Sequence, residues 1–130
     1  MSLPGAAQRL ACHCGAVKIA AILSDGLETA QRCDCSFCRR RGAIVVSAPL
    51  AGLRIVRGSE QLTLYKWGTG TAKHYFRSVC GIYTHHQRRS DPNEYAVNVA
   101  CIDGIDPRDL DLVQWADGVN HPSDRLDGAT

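Results

Sequence analysis

The chain has 130 residues, of which 45% are apolar, 22% charged and 6% aromatic, and its formal net charge is +2. This length and balance predict one globular domain spanning residues 1–130. A long apolar run and a secretory leader are both absent and the net charge is small, so we expect a cytoplasmic protein without membrane or nucleic-acid partners.

Short runs of β-forming residues make up most of the chain. They predict strands at 16–23, 43–48, 53–56, 62–67, 72–76 and 95–100. Short helical turns are predicted at 36–41 and 107–112, and no amphipathic helix of three turns is present. After Ile105 the chain becomes acidic and loses its apolar periodicity, which predicts loose packing of the last residues. We therefore predict a mainly β fold of antiparallel strands.

The cysteine count indicates metal binding. The chain has 7 cysteines, an odd number, so complete pairing into disulfides within one chain is impossible. In a reducing compartment, closely spaced cysteines favour thiolates on a metal ion over disulfide bridges.

One cysteine motif places three thiols within a single short segment, at Cys33, Cys35 and Cys38. Thiolate is a soft anionic donor that suits zinc, and three sulfurs leave a fourth tetrahedral position on the ion. That position is catalytic when it stays open and structural when a fourth residue closes it. The spacing alone fits both interpretations.

A second motif, Cys12-His13-Cys14 followed by Gly15, needs partners from elsewhere in the chain. Cys80-Gly81 resembles the second half of a C-x-x-C knuckle, but Arg77 occupies the position of the first cysteine. This set is one sulfur short, so either a histidine completes it or the ion is weakly held or absent. The candidate histidines are His13, His85 and His86. The remaining thiol, Cys101, ends an apolar run and is predicted to be a small buried hydrophobe.

The order of these motifs resembles the glutathione-dependent formaldehyde-activating enzyme family. The resemblance spans about residues 10–122, which it implies form the core of the domain. The matching segments are C-x-C-G at 12–15, C-x-C-x-x-C-R at 33–39, G-T-A-K-x-Y-F at 70–76 and C-G at 80–81. The resemblance implies an Mss4-like fold, in which antiparallel sheets fold over one another and zinc knuckles hold the loops. It also implies a structural zinc at Cys12, Cys14 and Cys80. By the same resemblance, Cys33, Cys35 and Cys38 hold the catalytic zinc.

The activity implied by this resemblance is a zinc-dependent addition of the glutathione thiol to formaldehyde, giving S-hydroxymethylglutathione. The reverse reaction is a carbon–sulfur lyase step. The expected partners are therefore a small-molecule thiol, glutathione, and an aldehyde. Glutathione carries two carboxylates, and we predict that Arg39, Arg40 and Lys73 bind them by charge-assisted hydrogen bonds.

Two other functions are compatible with the sequence. A zinc-stabilised binding module would contact phosphates through Arg39–Arg41 and Arg88–Arg89, although the low net charge and the acidic tail argue against it. A structural metal protein without catalysis is the other, and Arg77 supports it by breaking one cysteine set.

Overall fold

The computed structural model describes residues 7–110 and 113–119, and these residues are mostly β-strand. The strands are β1 (Ala7–Ala11), β2 (Lys18–Ile22), β3 (Gln31–Cys33), β4 (Val45–Pro49), β5 (Leu53–Arg57), β6 (Leu62–Tyr65), β7 (Lys73–Arg77), β8 (Ile82–Gln87), β9 (Glu94–Asn98) and β10 (Gln114–Ala116). One short α-helix, α1 (Cys38–Arg41), follows β3, and short 3-10 turns lie at Leu50–Gly52, Ser59–Gln61, Val99–Cys101 and Pro107–Asp109. Within the described ranges, no helix is long and apolar enough to cross a membrane.

The strands form two sheets. The smaller has the order β1-β2-β5, and the larger has the order β10-β3-β4-β9-β8-β7-β6. Neighbouring strands are antiparallel except for β10, which pairs in parallel with β3 so that Trp115 lies opposite Arg32. The predicted mainly β fold class is therefore confirmed, with this parallel pair as a departure from the expected antiparallel arrangement.

The core joins residues from both sheets. In β2, Ile19 and Ala21 are buried while the alternate residues Lys18 and Ile22 are exposed, as expected for a strand with one face toward the core. In β4, four consecutive residues are buried because this strand lies inside the larger sheet and is covered on both faces. Each fully buried valine, leucine or isoleucine side chain stabilises the fold by about 1.5–3 kcal/mol.

Each of the six predicted strand segments overlaps a strand, namely β2, β4, β5, β6, β7 and β9. The other four strands were not predicted. β8 has polar residues at its buried positions, since Thr84, His85 and His86 all face away from solvent. β10 lies in the segment after Ile105, which shows no apolar periodicity, and backbone pairing with β3 holds it at the sheet edge. The loose packing predicted for the last residues concerns positions outside the described residues.

The two predicted helical turns are present in shortened form. The first is α1, and the second is the 3-10 turn that Asp106 caps by accepting a hydrogen bond from the Arg108 backbone N–H, 2.9 Å away. The predicted end of this turn at 111–112, and the predicted core beyond residue 119, lie outside the described residues.

Candidate metal centre and cavity

The three-cysteine segment lies where β3 ends and α1 begins. Cys33 is the last residue of β3 and Cys38 the first of α1, so the turn between them folds the chain back on itself. The sulfur atoms of Cys33, Cys35 and Cys38 lie within 4.8 Å of one another. The backbone N–H of Cys38 also donates a hydrogen bond to Cys35 Sγ, 3.2 Å away. We call these three residues the thiol triad.

The segment after β10 holds the thiol triad in place. Asp34 Oδ1 accepts hydrogen bonds from the backbone N–H groups of Gly118, at 2.8 Å, and Val119, at 3.3 Å. A Cβ atom at position 118 would lie only 2.5 Å from Cys33 Sγ, closer than real side chains approach. Glycine at this position therefore lets the backbone pack directly against the sulfur.

The three thiols of the triad differ in pKa. Hydrogen bonds from Cys33 and Cys38 lower the pKa of the Cys35 thiol to about 2. The same contacts raise the pKa values of Cys33 and Cys38, and burial adds to the effect. Three thiolates this close require a compensating cation, because like charges at short range oppose further ionisation.

This donor set fits zinc. Sulfurs bound to one zinc ion at about 2.3 Å lie about 3.8 Å apart in tetrahedral geometry, and the triad sulfurs lie within 4.8 Å of one another. Soft anionic donors of this kind favour zinc over hard cations such as magnesium or calcium. The triad is thus positioned to bind a metal ion with three protein ligands.

A second group of sulfurs joins the two sheets. Cys12 and Cys14 lie in the turn between β1 and β2, Cys80 lies in the turn between β7 and β8, and the three sulfurs are within 4.8 Å of one another. Arg77 donates from Nε to Cys14 Sγ, 3.4 Å away. A backbone N–H of Ala16 and then Arg77 lower the pKa of Cys14 to about 6. Arg77 therefore supplies positive charge but no ligand atom.

None of the three candidate histidines belongs to this sulfur group in the part of the chain that the structure describes. His13 is exposed, whereas His85 and His86 are buried in β8. His85 stacks on Tyr75 with ring centroids 4.8 Å apart, and His86 Nδ1 lies 2.7 Å from the Tyr83 hydroxyl. Cys101 is buried, as the sequence predicted.

A cavity of about 320 Å³ opens beside the thiol triad. Its wall contains the three cysteines, the aromatic ring of Trp67, and two histidines from β7 and β8, His74 and His86. Three arginines also line it: Arg41, Arg88 and Arg89. This volume fits a small organic ligand, and the arginines favour one that carries negative charge.

Arg41 connects the thiol triad to His74. Its Nη2 donates to Cys38 Sγ at 3.3 Å, and its Nη1 lies 3.1 Å from His74 Nδ1. The guanidinium carbon is 3.7 Å from the centroid of the Tyr83 ring and 4.6 Å from that of Phe37. Burial and the charge of Arg41 lower the pKa of His74 to about 4, so this imidazole is neutral at neutral pH.

The predicted carboxylate-binding residues lie outside the cavity lining. Arg39, Arg40 and Lys73 are exposed, and Arg40 Nη1 donates to the Ser36 carbonyl at 2.6 Å. Their proposed role in binding glutathione stays a prediction.

The sequence motifs indicated no role for His74, Asp34 or Gly118. His74 lies inside the G-T-A-K-x-Y-F segment and Asp34 between two cysteines, so both had a local signal. Nothing in the sequence marks Gly118, because its packing against Cys33 follows from the fold.

Comparison with known proteins agrees with the geometry. A family model described as glutathione-dependent formaldehyde-activating enzyme matches residues 8–115. A crystal structure of a Rhodobacter sphaeroides protein is 62% identical in sequence and superposes with a TM-score of 0.82. The match covers 83% of this chain and 99% of that chain.

Proposed function

Because this chain belongs to the glutathione-dependent formaldehyde-activating enzyme family, we propose that it is a zinc-dependent enzyme that adds the glutathione thiol to formaldehyde, giving S-hydroxymethylglutathione. The observation that carries the proposal is the thiol triad, whose three sulfurs converge at the wall of a cavity. Three protein ligands are the number found in catalytic zinc sites, where the fourth position receives substrate or water.

Cys33, Cys35 and Cys38 would hold the zinc ion. When bound, zinc supplies a Lewis acid that stabilises a substrate thiolate or polarises a carbonyl oxygen. The cavity itself brings thiol and aldehyde together, which turns a bimolecular addition into an effectively unimolecular one. In the reaction the sulfur–carbon bond forms, the carbonyl π bond breaks, and the thiol proton ends on the former carbonyl oxygen. The reverse sequence is the carbon–sulfur lyase reaction.

The arginines of the cavity support an anionic thiol substrate. Arg41, Arg88 and Arg89 line the wall, and guanidinium groups bind carboxylates through paired, charge-assisted hydrogen bonds. Part of the Arg88 charge is already paired, since its Nε lies 2.9 Å from Glu94 Oε1. We propose that Arg39, Arg40 and Lys73 contact the carboxylate of a glutathione molecule that extends out of the cavity.

We propose that the chain forms one domain and acts in the cytoplasm. All seven cysteines are free thiols in the structure, and the cytosol keeps thiols reduced.

The second candidate function is that of a structural metal protein without catalysis, which Arg77 supports. Arg77 contacts the sulfur group that joins the sheets, however, and leaves the three thiols of the triad intact.

The test compares Cys35→Ser with Cys101→Ser, because both residues are buried thiols and only Cys35 belongs to the triad. An alcohol is a far poorer zinc ligand than a thiolate, so Cys35→Ser should lose one zinc per chain and the acceleration of adduct formation. Cys101→Ser should retain both the zinc content and the acceleration of adduct formation. Rates are measured above the spontaneous addition, at low glutathione concentration. Equal acceleration by wild type and Cys35→Ser, or no acceleration by wild type, would contradict the proposal.

A further inference from the structure

Arg41 determines which nitrogen of His74 carries a proton. A guanidinium group has five N–H donors, no acceptor, and a charge that it keeps at any ordinary pH. His74 Nδ1, which lies 3.1 Å from Arg41 Nη1, must therefore accept the hydrogen bond. The proton of the neutral imidazole is then on Nε2.

Packing fixes the orientation of this imidazole. His74 is 4% exposed, and the ring of Phe37 meets it edge-on with centroids 4.7 Å apart. Arg41 is itself held between the Tyr83 ring and Cys38 Sγ, to which it donates through Nη2. A single guanidinium group thus spans the gap between His74 and the thiol triad.

The Nε2–H group is free to meet a ligand. His74 lines the cavity, and its Nε2 has no hydrogen-bond partner among residues 7–110 and 113–119. The other cavity histidine differs, because His86 Nδ1 lies 2.7 Å from the Tyr83 hydroxyl, which can both donate and accept and so does not fix the position of the His86 proton. His74 therefore supplies an oriented, neutral N–H donor in the wall of the cavity that the thiol triad also lines.

We propose that His74 is a catalytic residue whose Nε2–H donates a hydrogen bond to the aldehyde oxygen during thiol addition, with Arg41 as its positioning residue. The inference rests on the proposed function. As the sulfur–carbon bond forms, the carbonyl π electrons move onto oxygen, and a preoriented donor stabilises this charge. His74 keeps its proton, because a neutral imidazole is a very weak acid, and the proton released by the thiol reaches the oxygen through water. The same hydrogen bond from His74 Nε2–H assists the reverse reaction.

The test uses two substitutions that separate the ring nitrogens. In His74→Gln the side-chain amide reaches the position of Nε2 and can donate there, whereas in His74→Asn it reaches only the position of Nδ1. We expect His74→Gln to retain the glutathione-dependent acceleration within a few-fold. His74→Asn should lower kcat/KM about 100-fold. Zinc content and glutathione affinity should be unchanged in both variants.

The outcomes distinguish this inference from the function on which it rests. If wild type accelerates the addition and the two variants are equally active, His74 donates nothing and the inference is wrong. Parallel loss of zinc or glutathione binding in both variants would assign His74 a structural role and overturn it as well. Absence of acceleration in wild type would overturn the proposed function first.

A second readout needs no active variant. Ring ¹⁵N chemical shifts of histidine-labelled wild-type protein, assigned by the resonance missing in His74→Gln, report the tautomer directly. We expect a protonated Nε2 and an unprotonated Nδ1 at neutral pH. A proton on Nδ1 would contradict the inference whether or not the Asn variant folds.

Discussion

Arg77 places a positive charge beside the sulfur group that joins the two sheets, at the position where the C-x-x-C pattern has a cysteine. Its Nε donates to Cys14 Sγ, so the thiolate is neutralised without being coordinated. Arg77→Cys should therefore raise zinc affinity at Cys12, Cys14 and Cys80. A metal that binds the folded state alone adds about 3 kcal/mol to the free energy of unfolding when free zinc is 100 times Kd.

The measurement for Arg77→Cys is zinc per chain together with the melting temperature, with Arg54→Cys as the control. Arg54 is an exposed arginine of β5, so its replacement adds a thiol away from the sulfur group. Zinc per chain and the melting temperature should both increase for Arg77→Cys, and neither should increase for Arg54→Cys. An unchanged pair of readings would mean that another group already completes this site.

His85 makes the fold sensitive to acid. Burial between Tyr75 and Tyr95 lowers the pKa of His85 to about 4, below the ordinary value of 6.5. Because the folded-state pKa is depressed, the unfolded chain binds the proton more readily. Stability is then fully present above pH 6.5 and is lost as pH falls toward 4, by up to about 3 kcal/mol.

The check is the free energy of unfolding in urea at pH 7 and pH 5, for wild type and for His85→Gln at equal zinc. The metal sites also respond to acid, so the difference between the two proteins isolates His85. We expect the wild type to lose more stability between these pH values. Equal losses would show that His85 is not buried in the neutral form.

At the scale of elements, the segment after β10 supports the thiol triad. A Cβ at position 118 would meet Cys33 Sγ at 2.5 Å and Cys35 Cβ at 2.8 Å. Gly118→Ala should therefore push this segment or the sulfur away, costing about 1–3 kcal/mol in the free energy of unfolding. Zinc affinity at the triad should fall with it.

Val119→Ala is the matched control for Gly118→Ala. Val119 is 51% exposed in the same segment, so its truncation removes little packing. Competition with a chromophoric zinc chelator measures the affinity, and urea unfolding measures the stability. Wild-type values for Gly118→Ala in both assays would show that this segment does not support the site.

The elements that the sequence predicted are those with apolar alternation or clear β-forming runs. β8 escaped prediction because most of its buried residues are polar. The contacts that accommodate them form only in the fold, such as the stacking of His85 on Tyr75 and the hydrogen bond from Thr84 Oγ1 to the Tyr75 carbonyl. β10 is 3 residues long and carries the exposed Trp115, so its pairing with β3 depends on tertiary contact. Short edge strands of this kind leave almost no periodicity to read.

At the scale of the molecule, the two sulfur groups have different surroundings. One group joins two hairpin turns from different sheets, whereas the triad faces a cavity lined by arginines and histidines. The motifs indicated both groups of cysteines. Close spacing along the chain brings the triad sulfurs together, whereas Cys80 was assigned to Cys12 and Cys14 by its resemblance to half a C-x-x-C knuckle and by the family resemblance. They did not indicate His74 or Gly118, whose positions depend on how β7 and the segment after β10 pack against the triad.

In the proposed function, zinc held by the thiol triad would receive the sulfur of glutathione. X-ray absorption at the zinc edge counts sulfur neighbours and is measured on the zinc-loaded protein with and without glutathione. We predict that glutathione increases the average number of sulfur ligands per zinc in wild type and leaves it unchanged in Cys35→Ser. An unchanged sulfur number in wild type at saturating glutathione would contradict the account.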